Sequence, residues 1–229
     1  MPRLLVIAAA AVVVATLASA SGAGNAFRHA SVDPANFVKT VDNRWLQLLP
    51  RTTFVYRGYE NGGPSRDVMT VTSLTKTILG VRCVVVRDNV YISGRLRERT
   101  LDWFAQDKRG RVWYFGEATA ELDVNGRVTT TEGSWEAGVD GAQPGIVMPA
   151  SPKIGQVFRQ EYYKGHAEDH FEIEGLSSVV RVPYVSSTHA MVTREWTPLQ
   201  PGHVEHKYYV RGVGLVKDGS AELVSITHP

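Results

Sequence analysis

Carboxylates set among aromatic rings are the most distinctive chemistry in this chain. They lie in Asp102-Trp103-Phe104-Ala105-Gln106-Asp107, in Val112-Trp113-Tyr114-Phe115-Gly116-Glu117, in Gly133-Ser134-Trp135-Glu136 and in Glu161-Tyr162-Tyr163. At an extended period of two, Asp102 and Phe104 share one face while Trp103 and Ala105 share the other, so an acid and a ring point the same way. Such groups bind sugars or cationic groups, or act as an acid and base pair whose pKa values the surroundings push apart. The ligand-binding candidates are Asp102, Trp103, Trp113, Tyr114, Glu117, Trp135, Glu136, Glu161 and Tyr162. The competing reading makes the rings ordinary core and pairs the acids with arginines such as Arg97, Arg99 and Arg111 on neighbouring strands.

Histidines supply a second candidate. Gly165-His166-Ala167-Glu168-Asp169-His170 places two histidines four apart, which on a helix would share a face as zinc ligands do. Ala167 stands where the HExxH metalloprotease motif has its glutamate. The flanking segments Glu161-Tyr162-Tyr163 and Phe171-Glu172-Ile173-Glu174 read as strands, which makes the segment a hairpin tip. In an extended chain positions 166 and 170 lie about 13 Å apart, too far for joint ligation. His166 and His170 are thus the metal candidates; no other cofactor is expected. His203 and His206, three apart in a strand, fall on opposite faces. The many acids include no EF-hand spacing.

Several classes are disfavoured outright. There is no GxSxG elbow, Walker loop, GxGxxG fingerprint or CxxC pair, which argues against α/β serine hydrolases, P-loop NTPases, Rossmann enzymes and thioredoxin-like proteins. The single Cys83 sits in the β-branched run Val81-Arg82-Cys83-Val84-Val85-Val86 and reads as a small buried hydrophobe rather than a nucleophile.

Positioning these residues falls to strands. Thr53–Tyr56, Val68–Thr72, Val81–Val86, Thr100–Phe104, Val112–Phe115, Val128–Thr131, Val157–Tyr163, Ala190–Trp196 and Val204–Val210 are rich in β-branched and aromatic residues. Turn signals divide them at Asn61-Gly62-Gly63-Pro64, Ser93-Gly94, Lys108-Arg109-Gly110 and Asn125-Gly126, the last having the chemistry of a type I′ turn. The expected fold is mainly β: a single antiparallel sheet curled into a barrel or half-open barrel, with short N-terminal helical turns at Pro34–Val38 and Trp45–Leu49. Residues 138 to 152, with Pro144, Pro149 and Pro152, read as a loop whose Ile146-Val147-Met148 packs as a lid or as a buried crossover.

Residues 1 to 20 carry Arg3, an apolar run from Leu4 to Leu17 and the small-x-small end Ala18-Ser19-Ala20, the pattern of a signal peptide cleaved near Ala20. The expected organisation is a signal peptide over 1–20, an extension with short helical turns over 21–50, and one antiparallel β domain over 51–229. The product is exported, secreted or periplasmic, with no stable membrane insertion after cleavage. Without Arg3, 24 of the 25 Lys and Arg residues face 23 Asp and Glu. So balanced a charge does not favour nucleic acid as a partner.

The phrases DWFAQD, VWYFGE, GSWEAGVDGA, PGIVMPA, RQEYY and KYYVRGVGLVK resemble those of an uncharacterised group of secreted bacterial β proteins. The closing GVGLVK is similar to the end of lipoprotein-associated β-barrel domains. The resemblance runs from about Leu49 to Lys217 and implies the fold without an activity. It departs at Pro50-Arg51-Thr52-Thr53-Phe54-Val55-Tyr56, where the group carries Pro-Gly-Thr before a Trp-x-Tyr strand. Two functions stay open: an envelope accessory or binding protein whose barrel holds a small molecule, and an extracellular hydrolase or lyase using carboxylates from Asp102, Glu117, Glu136 and Glu161. They separate on whether those acids converge, and on whether side chains fill the interior.

Overall fold

A computed structural model describes residues 32–228, and nearly all of the secondary structure is strand. A short 3-10 turn, Pro34–Asn36, is capped by the Asp33 carboxylate, which accepts from the Ala35 amide at 3.0 Å. The strands are β1 (Phe37–Val38), β2 (Val41–Asn43), β3 (Leu46–Leu48), β4 (Thr53–Glu60), β5 (Gly63–Ile78), β6 (Val81–Ile92), β7 (Arg95–Asp107), β8 (Val112–Leu122) and β9 (Val128–Thr130). There follow β10 (Trp135–Glu136), β11 (Gln143–Met148), β12 (Val157–Arg159), β13 (Glu161–Tyr162), β14 (His170–Arg181), β15 (Ser186–Trp196), β16 (Val204–Val210), β17 (Gly214–Asp218) and β18 (Ala221–Thr227).

Tight turns make the long strands pair with their sequence neighbours. Asn61-Gly62, Leu79-Gly80 and Ser93-Gly94 all have positive φ at both residues, the geometry whose twist matches that of the strands it joins. Asn125-Gly126 differs from the sequence expectation. The Asp123 carboxylate accepts from the amides of Asn125 and Arg127 at 2.8 and 2.9 Å, and only Gly126 takes positive φ. A side chain competing for turn amides has selected a longer loop there.

The antiparallel sheet runs β12-β14-β15-β16-β17-β18-β4-β5-β6-β7-β8-β11-β13 and is nearly closed into a barrel. Its two end strands are consecutive in the chain, with Gln160 alone between them. Residues 157 to 159 pair with β14 and residues 161 and 162 with β11, so one segment bridges the seam. Residues 138 to 152 are therefore not a free loop, since β11 lies inside them and pairs with β8 as well.

Strand β3 overturns the helical turn expected over Trp45–Leu49. Leu46 and Leu48 are buried and Gln47 is not, which is a period of two, and β3 forms a hairpin with β2. This hairpin is tied to two distant turns. The Gln106 side chain accepts from the amides of Asp42 and Asn43, and Asn43 donates to Gly110 O and Pro149 O at 2.7 and 3.0 Å. On the other side Arg44 O accepts from the Gly212 amide at 2.7 Å. Because β18, β4, β5 and β6 lie between these attachment points in the sheet, the hairpin spans one mouth of the barrel, and it buries Val41, Leu46 and Leu48 there.

Gly145 on β11 sets how tightly the seam closes. A Cβ there would fall 2.3 Å from Arg159 O and 2.4 Å from Gln160 O, backbone atoms that cannot swing away. Gly145→Ala is expected to lower unfolding free energy by about 1–3 kcal/mol, the usual cost of overpacking. Urea denaturation checks it; an unchanged midpoint would show that the seam is looser than described.

Candidate functional site

Alternation alone does not bring the acids together. Asp102 lies directly opposite Glu117 across β7 and β8, yet Phe104 lies opposite Tyr114, so three residues of β8 answer two of β7. The extra residue is a β-bulge at Gly116, with φ +128°. It turns Tyr114 and Glu117, three apart, onto the same inward face. A side chain at 116 is impossible without movement, because a Cβ would meet Trp135 O at 2.2 Å.

Five of the nine sequence candidates converge inside. The Tyr114 hydroxyl donates to Asp102 Oδ1 at 2.8 Å. Trp135, opposite Glu117 on β10, stands edge-on to Tyr114 with centroids 5.4 Å apart and donates its indole N–H to Glu161 Oε2 at 2.8 Å. Glu161 lies beside Asp169, and each carboxyl influences the other's hold on its proton. Glu117 Oε2, buried among these acids, has no hydrogen-bond partner. A buried carboxyl oxygen left this way costs about 1–3 kcal/mol when neutral, and more when charged.

The other four candidates lie elsewhere. Trp103 faces outward beneath Lys76, whose ammonium sits 3.4 Å from the ring centre, and Lys76 also pairs with Glu136 at 2.6 Å. Trp113 donates to Asp107 Oδ2 and packs under Phe37. Tyr162 lies against the Arg159 guanidinium. Arginine pairing accounts for Asp107, held by Arg111 at 2.6 Å, whereas Asp102, Glu117 and Glu161 have no arginine partner among their hydrogen bonds. The two metal candidates are apart in function: His166 meets Glu132 at 3.0 Å and stacks on Tyr163, while His170 bonds to Glu168 O and stacks on Trp196. Among the described residues no three His, Cys, Asp or Glu side chains are grouped to hold a metal ion.

A further interior group was not legible in the sequence. Lys207, the only buried cationic side chain among the described residues, meets Glu195 at 2.9 Å and Asp218 at 3.7 Å. Alternation along Lys207-Tyr208-Tyr209 signalled a strand but not which face was inside; the register Thr193, Lys207, Asp218 decides that.

Compared with family models, characterised proteins and solved structures, the chain matches none.

Burial dominates the chemistry of these groups. It lifts Asp102 well above the usual carboxylate range, with Asp88 adding repulsion and the Tyr114 hydroxyl opposing. It lifts Glu117 likewise, with Asp102 and Glu161 adding to it, and Glu161 with Asp169 adding to it. Burial pushes Asp169 up to about 7 against the Thr197 hydroxyl and then Lys207, and pushes Asp218 up to about 7 against Lys207. Burial would lower Lys207, but Asp218 and Glu195 outweigh it and hold the ammonium charged. Burial, with Glu136 adding, pushes the Cys83 thiol up to about 12, which removes it as a nucleophile at neutral pH.

Two outcomes are expected. Unfolded aspartates lose their protons near pH 4, whereas folded Asp169 and Asp218 keep theirs to about 7. Folding takes up protons between, so this stabilisation is complete below pH 4 and is lost as pH rises through 7, by up to about 1.4 kcal/mol per pH unit for each group. Urea unfolding from pH 5 to 8 checks the fall, and Asp169→Asn should flatten it; a wild-type profile that rises with pH contradicts the assignment. Separately, Gly116→Ala should cost about 1–3 kcal/mol of stability through strain at positive φ. Near-ultraviolet circular dichroism should then report a disturbed Tyr114 and Trp135 environment.

Proposed function

We propose that this chain is an exported barrel protein that holds a small molecule in its interior, and that the ligand is a cation or a hydrogen-bond donor. The observation that carries the reading is Glu117 Oε2, buried and without a partner beside the Tyr114 and Trp135 rings. An ammonium or donor group seated there would complete its hydrogen bonding and favour the ionised carboxylate, while the rings supply a cation-attracting wall. Entry runs through the mouth spanned by the β2–β3 hairpin, whose ties to Gln106, Gly110, Pro149 and Gly212 must open to admit a ligand. The leader-like pattern of residues 1 to 20, which lie outside the described residues, supports export. The likeness of the DWFAQD and VWYFGE phrases to secreted bacterial β proteins agrees with it.

A carboxylate-dependent hydrolase or lyase is the second reading. It is favoured by Glu161 lying beside Asp169, whose charge adds to the rise of the Glu161 carboxyl as in acid and base pairs, and opposed by the burial of both groups. Native mass spectrometry of protein from its own host tests the first reading. A non-protein mass is expected on the wild type and its loss on Glu117→Gln, which preserves shape while removing the charge. A bare mass for both proteins would count against interior binding.

A further inference from the structure

The outer face of β4 to β7 is chemically opposite to the interior. Its outward positions include Arg57, Arg66, Arg87 and Arg99, and no carboxylate stands among the residues registered with them on these four strands. Arg57 and Arg66 lie directly opposite one another, and like charges so placed destabilise a strand pair. On its other side Arg57 faces Glu222, but that carboxylate is taken by Lys217 at 2.6 Å.

Beside it is a depression of about 400 Å³ lined by Arg87, Asn89, Arg99, Leu101, Ala118 and Ala120. Register explains its form. Arg87 is opposite Leu101 and Asn89 is opposite Arg99, which makes the two arginines diagonal neighbours on one face, about 7–8 Å apart at the backbone. On the far side Leu101 and Arg99 face Ala118 and Ala120, whose short side chains leave the floor low. Leu101 is exposed despite its size. Two guanidiniums and an amide therefore border a concave surface with an apolar side and no acid in its lining.

We propose that this depression binds a phosphate ester, its oxyanion held between Arg87 and Arg99 with Asn89 as an additional donor, and its organic part against Leu101 and Ala118. Guanidinium suits this task because its planar fork can give two parallel hydrogen bonds to one oxyanion. The site is independent of the interior. It accepts either a soluble phosphate ester or the headgroup of an anionic phospholipid.

The test uses phenyl phosphate as the probe, followed by the backbone amide resonances of Asn89, Leu101 and Ala118. Saturable shifts are expected, with Arg87→Gln and Arg99→Gln each weakening binding about 10-fold or more. Arg82→Gln, an exposed arginine outside the depression, should leave affinity unchanged. Shifts that never saturate, or an equal loss with Arg82→Gln, would overturn the site in favour of diffuse attraction. Co-sedimentation with phosphatidylglycerol vesicles, lost in the same two variants, assigns the ligand as a lipid headgroup. Phenyl phosphate binding without sedimentation assigns a soluble ester. Because the three arginines are surface groups, circular dichroism of each variant should match the wild type.

Discussion

Closure of the sheet by one short segment is the constraint on which the rest depends. Residues 157 to 162 pair with β14 on one side and β11 on the other, and Gly145 lets β11 press against the carbonyls of that segment. Once the seam is bridged, inward side chains lose water together. Carboxylates that would be ordinary on an open sheet become costly groups needing protons, hydrogen bonds or an opposite charge. Here all three remedies occur: burial holds protons on Glu161 and Asp169, Tyr114 and Trp135 donate to Asp102 and Glu161, and Lys207 is charged beside Glu195 and Asp218.

Polar interiors of this kind favour a unique register. A one-residue slip of β7 against β8 would carry Asp102 from the interior to the exterior and replace it with Trp103, whose present place is under Lys76. The bulge at Gly116 then adds a second level of control. It lets β8 present Tyr114 inward on one side of the irregularity and Glu117 inward on the other, while Trp113 and Phe115 stay outside beneath Phe37. A local backbone feature thus decides which carboxyl and which phenol meet.

The two faces of the sheet have opposite characters. Acids gather inside, where burial holds protons on them; arginines gather on the outer face of β4 to β7, exposed to water. Nearly balanced net charge conceals this separation, because composition averages over the two faces. A ligand's chemistry would then report which side of the wall it had met.

The strand-rich text and the hairpin turns were legible in the sequence, because period-two alternation and Asn-Gly or Ser-Gly pairs are local properties. Asp102 with Phe104 on one face was legible for the same reason. The β3 strand was misread as a helical turn since five residues before a proline carry too little periodicity to separate the two. The convergence of Glu117, Trp135, Glu161 and Asp169 was not legible: they come from β8, β10, β13 and the segment before β14, and only the closed sheet brings them together. Asp218 and Lys207 were missed because nothing local says which side of a strand will be enclosed. By itself the sequence determined that the chain forms antiparallel strands with acids and rings interleaved, since those choices rest on neighbours along the chain. Tertiary structure alone decided which of those acids lose water, because enclosure depends on a bulge at Gly116 and a seam at Gly145 that set the facing of residues far apart in the chain.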